Sequence, residues 1–159
     1  MELEPTAKKS KGKKSRIVFG VLAAIAVALI IWVLSGPESG VKMGNEMDRY
    51  ALEYIEKHNL LNHTEKLIAY YDVTISMNGS EAAILTTERI LYHKDGRTTS
   101  IDLRDAVDVQ HSYQSLIGDI IEVRSTLGER IRIEIAPFND GESFYNALMD
   151  VWRAPDARQ

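Results

Sequence analysis

The sequence predicts a mainly β domain of antiparallel strands closed by one C-terminal helix, carried behind a single apolar N-terminal segment. Three observations predict it. Apolar and polar residues alternate with period two in several runs between residues 67 and 135, turn-forming residues separate those runs at short intervals, and residues 17–34 are uninterruptedly apolar. With 159 residues the chain has room for one core plus appendages.

Residues 17–34 read IVFGVLAAIAVALIIWVL, 18 residues without a charged or strongly polar side chain. As a helix they measure about 27 Å, close to the roughly 30 Å of bilayer hydrocarbon. Trp32 suits an interfacial aromatic, and Ser35-Gly36-Pro37 stops the helix. The competing reading, a cleaved signal peptide, has an apolar core of about 7–15 residues and a small-x-small site. This core is longer, and Val33-Leu34-Ser35 is a mediocre site, so a retained single-pass anchor is expected. A buried helix of a soluble protein gives no place to the lysine run in front of it.

Residues 1–16 hold Lys8, Lys9, Lys11, Lys13, Lys14 and Arg16, whereas only Lys42 and Arg49 follow within about 20 residues of the segment. That bias predicts a basic cytoplasmic tail and an extracytoplasmic C-terminal domain. The overall charge is −4, but from Ser35 onward there are 13 Lys and Arg against 21 Asp and Glu, a net of −8. Such a surface has no broad attraction for nucleic acid or anionic lipid. The chain has no cysteine, which excludes disulfides, thiolate zinc sites and thiol catalysis.

Residues 35–44 form a spacer, and an amphipathic helix is expected over 45–60. With Asn45 as its cap, Met47, Tyr50, Ala51, Tyr54, Ile55 and His58 share one face, and Asp48, Arg49, Glu53, Glu56 and Lys57 occupy the others. That apolar stripe must pack on something.

From Lys66 the period becomes twofold. Tyr71-Asp72-Val73-Thr74-Ile75-Ser76-Met77 alternates strictly and precedes a turn at Asn78-Gly79-Ser80. Alternation recurs in Ser100-Ile101-Asp102-Leu103, in Val107-Asp108-Val109-Gln110, and most clearly in Arg130-Ile131-Arg132-Ile133-Glu134-Ile135. Turns at Lys94-Asp95-Gly96-Arg97, Ile117-Gly118-Asp119 and Leu127-Gly128-Glu129 imply antiparallel hairpins. With no long connection for a crossover helix, the expectation is a meander of roughly seven strands closing into a partly open barrel or two packed sheets. Pro137 ends the last strand, and Asn139 with Glu142 has the spacing of a helix-start box. Phe144, Ala147, Leu148, Val151 and Trp152 then form a stripe that would plug the barrel's open end. Residues 154–159 are a tail.

The stretch Ala82-Ala83-Ile84-Leu85-Thr86-Thr87-Glu88-Arg89-Ile90-Leu91-Tyr92, then Lys94-Asp95-Gly96, then Thr99-Ser100-Ile101-Asp102-Leu103-Arg104-Asp105-Ala106-Val107 resembles bacterial pleckstrin-homology-like (PH-like) and GRAM domains. The resemblance covers about Leu61 to Trp152, placing a PH-like domain over 61–153. It implies that Thr86 and Arg89 are scaffold residues fixing the turn between two strands, and that the domain binds phosphoinositides, peptides or neighbouring subunits. The lipid-binding members carry Lys and Arg around the first hairpin. Here Thr74-Ile75-Ser76-Met77-Asn78-Gly79-Ser80-Glu81 has no base and ends in an acid, so headgroup binding is not expected.

No nucleophile elbow, phosphate loop or zinc-protease motif is present, and neither catalysis nor a cofactor is expected. His58, His63, His93 and His111 lack the spacing of zinc-binding helices, and Asp102, Asp105 and Asp108 lack the glycine and terminal glutamate of a calcium loop. Asn62-His63-Thr64 and Asn78-Gly79-Ser80 match the glycosylation pattern, which matters only in a eukaryotic secretory protein. One loop has unexplained apolar content, residues 111–118. Its Tyr113, Leu116 and Ile117 either fold back on the barrel or form an exposed tip, and they are the candidate partner contact. The expected function is a membrane-tethered, non-catalytic binding or assembly module with a protein partner. The alternative is a small-ligand barrel or enzyme with an enclosed pocket.

Overall fold

A computed structural model describes Gly20, Val21, Ile25, Val27 and residues 40–44, 46–73 and 81–154. The chain divides into two units, Met1–Glu38 and Ser39–Gln159. The four described residues of the first unit are helical, and Val21, Ile25 and Val27 are exposed. The rest of the expected anchor, the basic tail and residues 155–159 lie outside the described residues. Among the described residues no helix is long and apolar enough to cross a membrane.

The second unit is mainly β. In chain order it contains β1 (Lys42–Met43), α1 (Arg49–Lys57), β2 (Leu67–Asp72), β3 (Glu81–Thr86), β4 (Arg89–Lys94), β5 (Arg97–Asp102), β6 (Ala106–Gln114), β7 (Gly118–Ser125), β8 (Arg130–Ile135) and α2 (Gly141–Arg153). All pairings are antiparallel, in a five-stranded sheet β1-β2-β3-β4-β5 and a three-stranded sheet β6-β7-β8.

Among the described residues the strands form two sheets facing each other, one of the two expected arrangements, and no closed barrel. The meander breaks after β5, where one carboxylate holds a tight turn. Asp102 Oδ1 accepts from the Arg104 backbone N–H at 3.0 Å and Asp102 Oδ2 from its guanidinium at 2.9 Å. The Asp105 N–H adds a bond to the Asp102 carbonyl at 3.0 Å. Buried Leu103 pins this turn, and β6 leaves it to pair with β7 instead of β5.

Between the sheets lies one apolar layer. Ile131, Ile133 and Ile135 face inward from β8 while Arg130, Arg132 and Glu134 face solvent, the alternation that the sequence predicts. They meet Ile121 and Val123 of β7, Leu85, Ile90 and Ile101 of the larger sheet, and Phe144 and Leu148 of α2. A second apolar layer covers the other face of the larger sheet. There Ala51, Tyr54 and Ile55 of α1 pack with Tyr70, Ala82, Ile84 and Leu91. Strand β3 is therefore buried on both faces, which is why its Ala82-Ala83-Ile84-Leu85 is continuously apolar.

Two local expectations shift. Strand β2 occupies Leu67–Asp72, earlier than the run from Tyr71, and residues 74–80 lie outside the described residues. Asn139 does not cap α2. That helix follows Asp140, whose φ of 58° is left-handed and whose side chain makes no cap bond. The Asn139 amide instead donates to the Tyr71 hydroxyl at 3.2 Å, a tertiary bond that overrides the local box. Helix α1, for its part, is preceded by Asp48, and Asn45 lies outside the described residues.

Candidate functional site

The β6–β7 turn brings the three candidate contact residues to one end of the three-stranded sheet. Tyr113 pairs with Asp119 at the end of β6 and is 59% exposed. Leu116, at the tip of the turn, is 94% exposed, and Ile117 is half-buried. The turn closes on Gly118, whose φ is +95°, and a Cβ there would lie 2.1 Å from the Ile135 carbonyl oxygen and 2.7 Å from the Pro137 nitrogen. Only glycine fits, and this contact sets the β6–β7 turn against the connection from β8 to α2.

That connection carries a residue the sequence reading passed over. Phe138 is fully exposed, with a backbone φ of 70°, a region that aromatic residues seldom occupy. The loop is held on both sides. Ala136 N–H donates to the Tyr71 hydroxyl at 3.1 Å, and Val41 N–H donates to the Asn139 carbonyl at 3.0 Å. The signal in the sequence was an aromatic directly after a strand-ending proline. Its neighbour Pro137 lies against Gly118 of the β6–β7 turn, a contact that no local pattern reveals.

No family model, curated protein or solved structure matches this chain.

The other candidates sit in separate places. Thr86 Oγ1 accepts from the backbone N–H groups of Glu88 at 3.1 Å and Arg89 at 2.9 Å and donates to the Arg89 carbonyl at 3.0 Å, which fixes the β3–β4 turn. The Arg89 guanidinium grips Glu65, whose side chain is fully buried, through Nε at 2.5 Å and Nη2 at 3.2 Å. It also donates to the Leu60 carbonyl at 3.2 Å, so the segment from α1 to β2 is tied to β4. Asn62 of the first glycosylation match donates its side-chain amide to Glu65 at 2.9 Å, and Asn78 lies outside the described residues. Asp102 is held by Arg104, whose hydrogen bond keeps the carboxyl below its ordinary range, and Asp108 pairs with Arg124 at 3.3 Å.

Two histidines far apart in sequence meet beneath α1. The rings of His58 and His93 are 4.9 Å apart, and His93 Nδ1 lies 2.9 Å from Thr98 Oγ1. His111 instead bonds Asp119 at 2.7 Å and stacks on Tyr145 of α2. Among the described residues no three His, Asp or Glu gather as a metal set. Burial first, and His58 second, lower the pKa of His93 from its ordinary value. The unfolded chain then takes up a proton before the folded one does, so stability present above about pH 6.5 is lost as the pH falls below it. The melting temperature is expected to drop between about pH 7 and 5, and His93→Gln should flatten that dependence. An equally steep profile in His93→Gln would place the acid sensitivity elsewhere.

Surface clefts are shallow in chemistry. One of about 490 Å³ is lined by Tyr92, Lys94, Asp95, Arg97 and Thr99. Another of about 260 Å³ lies over Gln110, His111, Ser112, Gln114, Ile120, Glu122 and Arg132. Lys94 of the first pairs with Glu81 at 3.1 Å, and Arg132 of the second pairs with Glu134 at 2.6 Å.

Proposed function

We propose that the chain is a membrane-tethered, non-catalytic module of PH-like architecture that engages a protein partner near the bilayer, with its N-terminus cytoplasmic and its domain extracytoplasmic. The observation that carries this reading is the filled interior. Leu85, Ile90, Ile101, Ile121, Ile133, Phe144 and Leu148 occupy the space between the sheets with no solvent exposure, which leaves binding to the surface. The PH-like resemblance is supported by the order of elements: a four-strand meander β2–β5, a three-strand meander β6–β8, then a closing helix. Strand β1 and helix α1 are additions to that plan. Ion pairing of Arg89, Lys94, Arg104, Arg124, Arg130 and Arg132 supports a surface that takes no anionic headgroup.

For the partner the open edge of β5 is the best-placed surface. It ends its sheet with one side unpaired among the described residues, and Arg97, Thr98 and Thr99 are exposed along it. An edge of this kind accepts a strand from another protein. The test is a photoreactive residue at Thr99, with a control at Leu127, in the full chain in native membranes. One discrete adduct from Thr99 and none from Leu127 is expected. Identical labelling at both positions, or none at either, would remove the edge as the partner site.

A further inference from the structure

The exposed tip faces a different occupant. We propose that Leu116 and Phe138, with Tyr113 beside them, rest in the interfacial layer of the bilayer that holds the anchor, and so set the orientation in which the domain meets its partner. The inference rests on the tether reading above.

Connectivity carries the first part. The chain enters the domain beside Phe138: the Val41 N–H bonds the Asn139 carbonyl at 3.0 Å, and a Cβ on Gly40 would lie 3.7 Å from that same oxygen. Five residues separate Gly40 from Leu34, the last residue of the apolar segment. At roughly 3.3–3.6 Å per residue even a fully extended linker spans only about 20 Å. The polar layer on each side of the hydrocarbon is itself about 5–8 Å deep. A tip next to Asn139 is therefore within reach of that layer through covalent geometry alone.

Chemistry carries the second part. No charged side chain occurs in residues 112–118 or 136–139, although residues 67–153 carry a net charge of −6. Leu116 and Phe138 have almost no protein contact, and the left-handed backbone at Phe138 holds its ring outward in a conformation that needs the bonds of its neighbours to persist. Exposed leucine and phenylalanine without charge suit a zwitterionic interface, where apolar side chains leave water without requiring a counter-ion. Leu127 supplies the contrast. It is also exposed, but it follows β7 at the opposite end of that strand, about 26 Å away along eight residues.

The chain has no cysteine, so Leu116→Cys, Phe138→Cys and Leu127→Cys each give one labelling site. The full chain carrying an environment-sensitive thiol probe is reconstituted in phosphatidylcholine vesicles and quenched by brominated lipid and by aqueous iodide. The probes at 116 and 138 are expected to be quenched by brominated lipid and protected from iodide several-fold relative to 127, at any protein-to-lipid ratio. In Leu116→Ser/Phe138→Ser a probe at Tyr113→Cys becomes iodide-accessible. Three equally iodide-accessible probes on a chain that resists carbonate extraction overturn this inference alone. Release by carbonate overturns the tether and the inference with it. Protection that vanishes on dilution in lipid assigns the tip to a second copy, and protection seen only in native membranes assigns it to a protein partner; either result overturns the lipid assignment.

Discussion

Ile133→Asp is expected to unfold the domain. Ile133 has no solvent exposure, pairs with Ile121 across β7–β8 and faces the layer between the sheets. The substitution removes a buried aliphatic side chain, worth about 2–5 kcal/mol in Ile→Ala changes, and places a carboxylate where no cation waits for it. Burying that charge costs several kcal/mol more, against a total stability of about 5–15 kcal/mol. Arg132→Ser, one residue away on the solvent face, should cost about 1 kcal/mol or less. The comparison is read from denaturant midpoints by circular dichroism on residues 41–159, which are expected to be soluble and β-rich. A normal midpoint for Ile133→Asp would mean that β8 is turned by one residue, because a one-residue slip exchanges the two faces of a strand.

Arg89→Ala should lower stability by about 3–5 kcal/mol, the range for removing one partner of a buried ion pair. The magnitude comes from what remains. The Glu65 side chain is fully buried, and without the guanidinium its carboxylate keeps, among the described residues, the Asn62 amide at 2.9 Å and the Asn62 N–H at 3.3 Å. Arg89→Lys should recover only part of the loss, since one ammonium cannot reproduce the two-pronged contact. Replacing both members, as Arg89→Met with Glu65→Leu, should cost well under the sum of the single losses, because it removes the stranded charge as well as the bond. Additive losses would contradict a coupled pair. The sequence marks Arg89 as a turn residue through its resemblance to PH-like domains. The turn itself belongs to Thr86, and Arg89 reaches across 24 positions to Glu65.

The same division runs through the rest of the molecule. Where a residue's environment follows from its own strand or helix, the sequence states it. The inward isoleucines of β8, the apolar stripe of α2 and the hairpin turns at Asp95-Gly96 and Gly128 are legible from period and turn chemistry, since those patterns report which face of an element is buried. The uncharged, apolar content of residues 112–118 is legible in the same way.

What lies across from each face is decided by contacts between residues far apart in the chain. The sheet breaks in two where the Asp102 turn redirects β6, so of the two arrangements that the meander allows, a partly open barrel or two packed sheets, the chain forms two facing sheets. The stripe on α1 finds the outer face of β2, β3 and β4, and by doing so brings His58 to His93. The β8–α2 connection, which carries Phe138, approaches the β6–β7 turn only because Gly118 admits it at a distance that any side chain would block. Local periodicity therefore determines a mainly β domain with a closing helix, and composition an uncharged, apolar loop at 112–118 whose exposure the sequence leaves open. Long-range packing alone decides the number of sheets, the partner of each buried face and the approach of the β8–α2 connection to the β6–β7 turn, because burial preference is a property of one residue and contact is a property of two.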